Sequence, residues 1–158
     1  MKLGPLVIGK DGGPDSNVDG VMFEIKRLFS IGILRFKDGS REAWHSHAFN
    51  CWSVVLKGRL LEMFFDPSLS YNEFKTGDFI YTKREDLHKV ASVGTSYVLT
   101  VRGPWKKTWV DVEEVTEHGP LAHFYMVKTL TDTRAVERAE FFETRSAAGA
   151  HAWRAAQS

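Results

Sequence analysis

The chain of 158 residues holds one cysteine, Cys51, so no internal disulfide can staple it and its stability must come from burial. That length suits one domain with a real core, without a second. Long apolar runs are also missing. Nowhere do the ~18 uncharged apolar residues of a spanning helix stand together, which excludes a transmembrane helix and a membrane role. Charge of one sign is lacking too: 21 Lys and Arg against 20 Asp and Glu leave a formal +1. No global field therefore draws in nucleic acid, an anionic membrane or a cationic partner, and any binding falls to local groups. No basic stripe interleaves with the aromatic residues, so nucleic-acid binding is not expected. No amino-terminal segment joins a basic region to a long apolar run and a small-residue cleavage site. With a lone thiol, this sets the expectation of a reducing cytoplasm.

Aromatic residues, by contrast, are plentiful: 13% of the chain, with eleven Phe and five Trp, which suits an all-β core or a pocket. Residues 1–20, with "GKDGGPDSNVDG", lack periodicity and read as an amino-terminal arm. From Val21 the pattern becomes strand-like, and "KDGS" closes the first long stretch as a hairpin turn that supplies Gly39. Runs such as "CWSVVL", "RLLEMFF", "DFIYT", "HKVASV" and "SYVLTV" follow, separated by "KG", "DPSLS", "TGD", "KRED" and "VGT". Short strands at this spacing predict an all-β sandwich or jelly-roll barrel over residues 21–112. Residues 113–158 form a carboxyl-terminal extension. Within it the alternating charges, with apolar Val136, Ala139 and Phe142 on one face, predict a helix over about 133–147 that Gly149 ends. Exposed sheet edges and an apolar helix face both need covering, which predicts a homodimer.

The segment "REAWHSHAFNCWSVVLKG" (41–58) gathers His45, His47 and Cys51 where a buried strand would carry Val or Ile. Side chains two apart on an unbroken strand share a face, so His45, His47, Phe49 and Cys51 would point the same way. Two such imidazoles can converge on one point at the ~2.0–2.1 Å that a first-row metal requires. A third ligand must come from another strand. His88, at the start of "HKVASV" after the turn at Gly77 and Asp78, is the best candidate, whereas His118, His123 and His151 lie in the less regular last third.

These residues resemble the two cupin motifs. Gly39, His45, His47 and Gly58 match the first, with Cys51 at the position of its Glu. Gly77 and His88 match the second, with Lys83 and Glu85 where Pro and Gly are usual and Ser92 in place of Asn. The likeness covers roughly residues 25–105. It implies a cupin-type double-stranded β-helix holding a divalent metal through His45, His47 and His88, with Fe(II) favoured and Zn, Mn or Ni as alternatives. A cysteine in place of the Glu is also similar to the thiol dioxygenases, among them cysteine dioxygenase, some of which cross-link that cysteine to a tyrosine. Here Val101 falls at the tyrosine position and the nearest tyrosine is Tyr97. "KREDLHKV" and "VRGPWKKTW" resemble small cupins encoded by bacteria and their phages.

The expected activity is oxygenation of a small organic acid or thiol that chelates the open metal positions. Cys51 and Arg102 are the candidate catalytic residues, the guanidinium as a bidentate anchor for a carboxylate or phosphate. Each has a plainer reading: Cys51 as a small buried hydrophobe and Arg102 as a solvated edge. Asp86 and Glu85 are candidates to orient a ligand imidazole. The alternatives are a non-catalytic module that binds metal or a small metabolite, and a metal-dependent sugar isomerase or lyase, for which no general base stands out.

Overall fold

β-Branched and aromatic residues alternate with polar ones through most of the chain, and the computed structural model resolves this period-2 pattern into strands. It describes residues 1–12, 16–25, 28–40, 44–66, 68–116, 123–131 and 135–157. Among these the strands are β1 (Lys2–Leu3), β2 (Leu6–Asp11), β3 (Val18–Ile25), β4 (Phe29–Phe36) and β5 (Gly39–Ser40). Then come β6 (Trp44–His45), β7 (Cys51–Lys57), β8 (Arg59–Phe64), β9 (Tyr71–Lys75) and β10 (Phe79–Thr82). β11 (His88–Ser92), β12 (Ser96–Arg102), β13 (Thr108–Thr116), β14 (His123–Thr131), β15 (Val136–Phe142) and helix α1 (Arg145–Gln157) complete the set.

All pairings are antiparallel and build two sheets. One runs β1-β2-β3-β4-β12-β7-β10; the other runs β15-β14-β13-β6-β11-β8-β9, with β5 also on β11. The two sheets face each other as the jelly roll the sequence predicts. β12 shows the logic most plainly: Ser96, Val98, Thr100 and Arg102 are buried inside, while Tyr97 and Val101 face out. Gly58 makes the tight β7–β8 turn with φ +99°, and a Cβ there would stand 2.2 Å from the Ser96 Oγ, so no larger residue fits.

Four expectations need correction. The predicted helix over 133–147 is not present: Val136–Phe142 is a strand paired to β14, and the helix begins at Arg145. Edge pairing along β14 satisfies the backbone of a segment whose side chains fit either structure, and the alanine-rich "RSAAGAHAWRAAQ" is the better helix former. Thr144 caps that helix, its Oγ1 accepting from the Ala147 N–H at 3.2 Å, and Gly149 lies inside it rather than at its end. Residues 1–20 are not a loose arm, because β1, β2 and the start of β3 are strands of the seven-stranded sheet. The barrel does not stop at 112, since β13 continues to Thr116 and carries β14 and β15 beside it. Finally, "KDGS" is a corner rather than a hairpin, leading from β4 in one sheet to β5 in the other.

Two apolar clusters hold this frame. Between the eight-stranded sheet and α1 lie Trp44, Phe65, Val110, Val112, Tyr125 and Val127, closed by Ala148, Ala152 and Ala156 of the helix. Inside the barrel, Val55, Leu60 and Val98 pack with Phe36, Phe74, Ile80 and Val90. Each fully buried Val or Leu contributes about 1.5–3 kcal/mol relative to exposure.

Candidate metal centre

His45 and His88 sit directly opposite each other on β6 and β11, so antiparallel register alone brings their side chains together on the inner face. Strand parity does not place His47. The segment is not the unbroken strand of the sequence reading: β6 ends at His45 and the chain crosses to the other sheet before β7 starts at Cys51. The crossing is pinned from several sides. The Ser46 N–H donates to the Val110 carbonyl and its Oγ accepts from the Val110 N–H, while the His47 N–H donates to the Arg84 carbonyl. The Asn50 side chain accepts from the Arg84 N–H at 2.9 Å, the backbone-bonding role expected of a turn residue.

These constraints turn the three imidazoles toward one point. Their ring centroids are 5.1 Å (His45–His47), 5.0 Å (His45–His88) and 4.9 Å (His47–His88) apart, close to an equilateral triangle. One ligating nitrogen from each lies within 4.8 Å of the others, and the Nε2 atoms of His47 and His88 approach to 2.8 Å. His88 is fully buried and its Nδ1 lies 2.5 Å from the Glu62 Oε1. A carboxylate can only accept, so Nδ1 carries the hydrogen and the Nε2 lone pair is left facing the other two rings.

Glu62 is the residue that sequence reasoning missed. It is buried on β8 opposite Val90 of β11, and no spacing links it to His88; only the β8–β11 register does. The two carboxylates proposed from sequence do something else. Asp86 Oδ2 accepts from the Lys83 N–H and closes the turn before β11, and Glu85 lies 4.0 Å from Arg84. Burial, chiefly, pushes the Asp86 carboxyl up.

The cluster opens on a cavity of about 170 Å3 that runs into the barrel and is lined by the three histidines, Glu62, Cys51, Arg102 and an apolar far end including Leu60, Phe74 and Val98. This is smaller than the ~300–1,000 Å3 of drug-sized sites. Cys51 enters it from the opposite sheet, in register with Thr82 and Arg102, and packs with Ala48, Phe49, Trp105 and Trp109. It is not one of the clustered metal-ligating atoms among the described residues. Burial pushes its thiol up, against smaller opposing effects from the Thr82 hydroxyl and the Arg102 charge. Tyr97 faces out from β12 while Cys51 faces in, so the two stand on opposite faces of one sheet and no cross-link can join them.

Arg102 is buried, not a solvated edge, and stacks over the Phe49 ring at 4.7 Å. Both terminal nitrogens donate to Asp11 of β2, at 3.0 and 2.6 Å. Burial pulls its pKa down, but Asp11 outweighs it and the net direction is up. A carboxylate thus already occupies the fork that sequence reasoning left open for substrate. Lys106 bonds the Gln157 carbonyl near the carboxyl terminus and Lys107 is exposed. His151 of α1 lies 3.4 Å from Glu140, away from the cluster; His118 and the side chain of His123 lie outside what the structure describes.

Three imidazoles whose ligating nitrogens cluster within 4.8 Å, one of them backed by a carboxylate, form a donor set suited to a divalent first-row metal. Comparison with solved structures gives the same architecture. The polyketide cyclase RemF from Streptomyces resistomycificus aligns over 65% of this chain and 78% of its own, with TM-score 0.52 and 15% identity. A putative ethanolamine utilization protein Q from Salmonella typhimurium aligns over 62% and 78%, with TM-score 0.51 and 15% identity. An RmlC-like cupin from Shewanella frigidimarina aligns over 68% and 92%, with TM-score 0.50 and 14% identity. The sequence matches no family model and no curated protein. The chain therefore has the cupin fold, an all-β jelly roll with a carboxyl-terminal helix, and carries three histidines at metal-binding distance within it. No helix among the described residues is long and apolar enough to cross a membrane.

Proposed function

We propose that this cupin binds one divalent metal through His45, His47 and His88 and acts as an oxygenase on a small organic acid or thiol, with Fe(II) the favoured ion. The observation that carries the reading is the convergence of three imidazoles without a carboxylate among the clustered ligating atoms of the described residues. Neutral ligands leave the ion its full charge and up to three positions for substrate and dioxygen, and the metal supplies the redox chemistry when bound. Glu62 holds His88 in one tautomer and fixes its ring. The apolar far end of the cavity favours a ligand with a short apolar body and a polar head at the histidines. Cys51, protonated near neutrality because burial raises its pKa, would contact substrate as a neutral thiol rather than as a nucleophile. A reducing cytoplasm suits a ferrous site and a lone thiol alike.

One observation favours the non-catalytic alternative, a module that binds metal or a small metabolite. Arg102, the candidate anchor, already has both terminal nitrogens on Asp11, so a substrate carboxylate that takes the same fork must displace that partner. Elemental analysis of protein purified without chelator, beside His88→Ala, tests the site; metal retained in full by the variant defeats the assignment. Oxygen consumption by iron-loaded protein over a panel of thiols and keto acids separates enzyme from module, and a flat response with occupied iron defeats the oxygenase reading.

A further inference from the structure

Across the neighbouring strands β13, β6, β11 and β8, the register lines up a carboxylate, an imidazole, a second imidazole and a second carboxylate. His45 of β6 pairs with His88 of β11, which Glu62 backs from β8. On its other side His45 is the direct partner of Asp111 of β13.

Asp111 shares the inner face with His45. Its sequence neighbours Val110 and Val112 pack against α1, whereas Trp109, two residues away on the strand, lines the cavity as His45 does. Directly opposed residues of an antiparallel pair hold their Cβ atoms about 4.5–5.5 Å apart, a span that one carboxylate–imidazole hydrogen bond can bridge. Asp111 is only 5% exposed, and a buried carboxylate is costly unless a donor meets it. It is neither among the clustered ligating atoms nor in the cavity lining of the described residues, so it stands behind the imidazoles rather than beside the ion. Lys128 is its register partner on β14, with Nζ donating to the Glu113 carboxylate at 2.7 Å.

We infer that Asp111 is a positioning residue for the metal centre: it accepts a hydrogen bond from the Nδ1–H of His45, as Glu62 does from His88, and turns the His45 Nε2 lone pair toward the ion. The inference rests on the three-histidine site proposed above. A carboxylate behind a ligating imidazole fixes its tautomer and ring plane and raises its basicity. With Asp111 and Glu62 flanking the two strand-borne histidines, negative charge reaches a divalent ion without taking a coordination position, and the open positions stay with the substrate.

Competition titration of the full-length protein with Co(II) against a chelator, followed by its visible absorption, tests the role. Asp111→Ala is expected to weaken Co(II) binding roughly 10–100-fold, with Asp111→Asn in between because its amide oxygen can still accept. Lys128→Met, which removes the other register partner, is expected to change binding by less than about threefold. Side-chain 15N spectra of the metal-free protein in mildly alkaline buffer read the hydrogen bond itself, which a merely structural role would not move. The wild type should hold the His45 proton on Nδ1, and Asp111→Ala should release it while His88 is unchanged. The wild-type spectrum decides the matter even where a variant folds poorly. Wild-type protein that takes up no Co(II) defeats the metal site and this role together. Co(II) bound equally tightly by wild type and Asp111→Ala, or a wild-type His45 protonated on Nε2, overturns this inference alone. An equal loss in Lys128→Met makes Asp111 the counter-ion of that lysine and overturns it too.

Discussion

The two sheets of this jelly roll have similar outer faces with different fates. The eight-stranded sheet presents Trp44, Val110, Val112 and Val127 outward and covers them with the alanine face of its own helix α1. The seven-stranded sheet presents Ile31, Trp52, Phe79 and Tyr81 outward and leaves them bare. Their inner faces differ as well. The eight-stranded sheet supplies His45, His88 and Glu62, whereas the seven-stranded sheet supplies Cys51, Thr82, Thr100 and Arg102. One sheet is therefore closed outside and chemically armed inside. The other is open outside and carries the Arg102–Asp11 ion pair among neutral side chains within, so the chain's own helix covers one outer face and leaves the other exposed.

Substitutions that treat the two sheets alike should break this symmetry. Ala152→Asp places a charge in the sealed interface of α1 and should cost about 3–5 kcal/mol of unfolding free energy, whereas Ile31→Asp on the exposed face should change it by no more than ~0.5 kcal/mol. Urea denaturation of both, at one low protein concentration, makes the comparison. Equal losses would end it. On the inner faces, His88→Ala should abolish stoichiometric metal while Thr100→Val on the opposite sheet retains it, read by elemental analysis. Glu62→Gln should fall between them, with metal affinity lowered roughly 10–100-fold in a competition titration.

The smallest effect concerns Cys51. Its folded pKa lies above the ordinary thiol value of 9.0, so between the two the folded state keeps a proton that the unfolded chain has lost. Wild-type stability should therefore fall as pH rises past about 9, by at most ~1.4 kcal/mol per pH unit, relative to Cys51→Ser. Parallel curves would mean that the thiol is less shielded than its position implies.

Legibility followed the range of the interaction. The HxH spacing announced His45 and His47, and a turn followed by a new strand announced His88, because local residue types carry those signals. The expectation still leaned on an unbroken strand through Cys51, whereas a pinned crossing between sheets delivers His47. Glu62 was invisible because its link to His88 is a strand pairing, and the Asp11 carboxylate on Arg102 crosses ninety-one positions. In the last third, "VERAEFF" bears charges spaced as on a helix face, yet β14 offers a partner backbone and the segment extends along it.

The sequence by itself determined the all-β alternation, the glycine corner at Gly58, the three histidines, the lone cysteine that can form no internal disulfide, the lack of a long apolar run and the near balance of charge. These are properties of residue type and near-neighbour spacing, which need no knowledge of what lies across the fold. Only the tertiary structure decided that Glu62 stands behind His88, that Asp11 fills the Arg102 fork, and that one apolar sheet face is covered while the other is bare. Each depends on which distant strands become neighbours, and pairing register, not local composition, makes that choice.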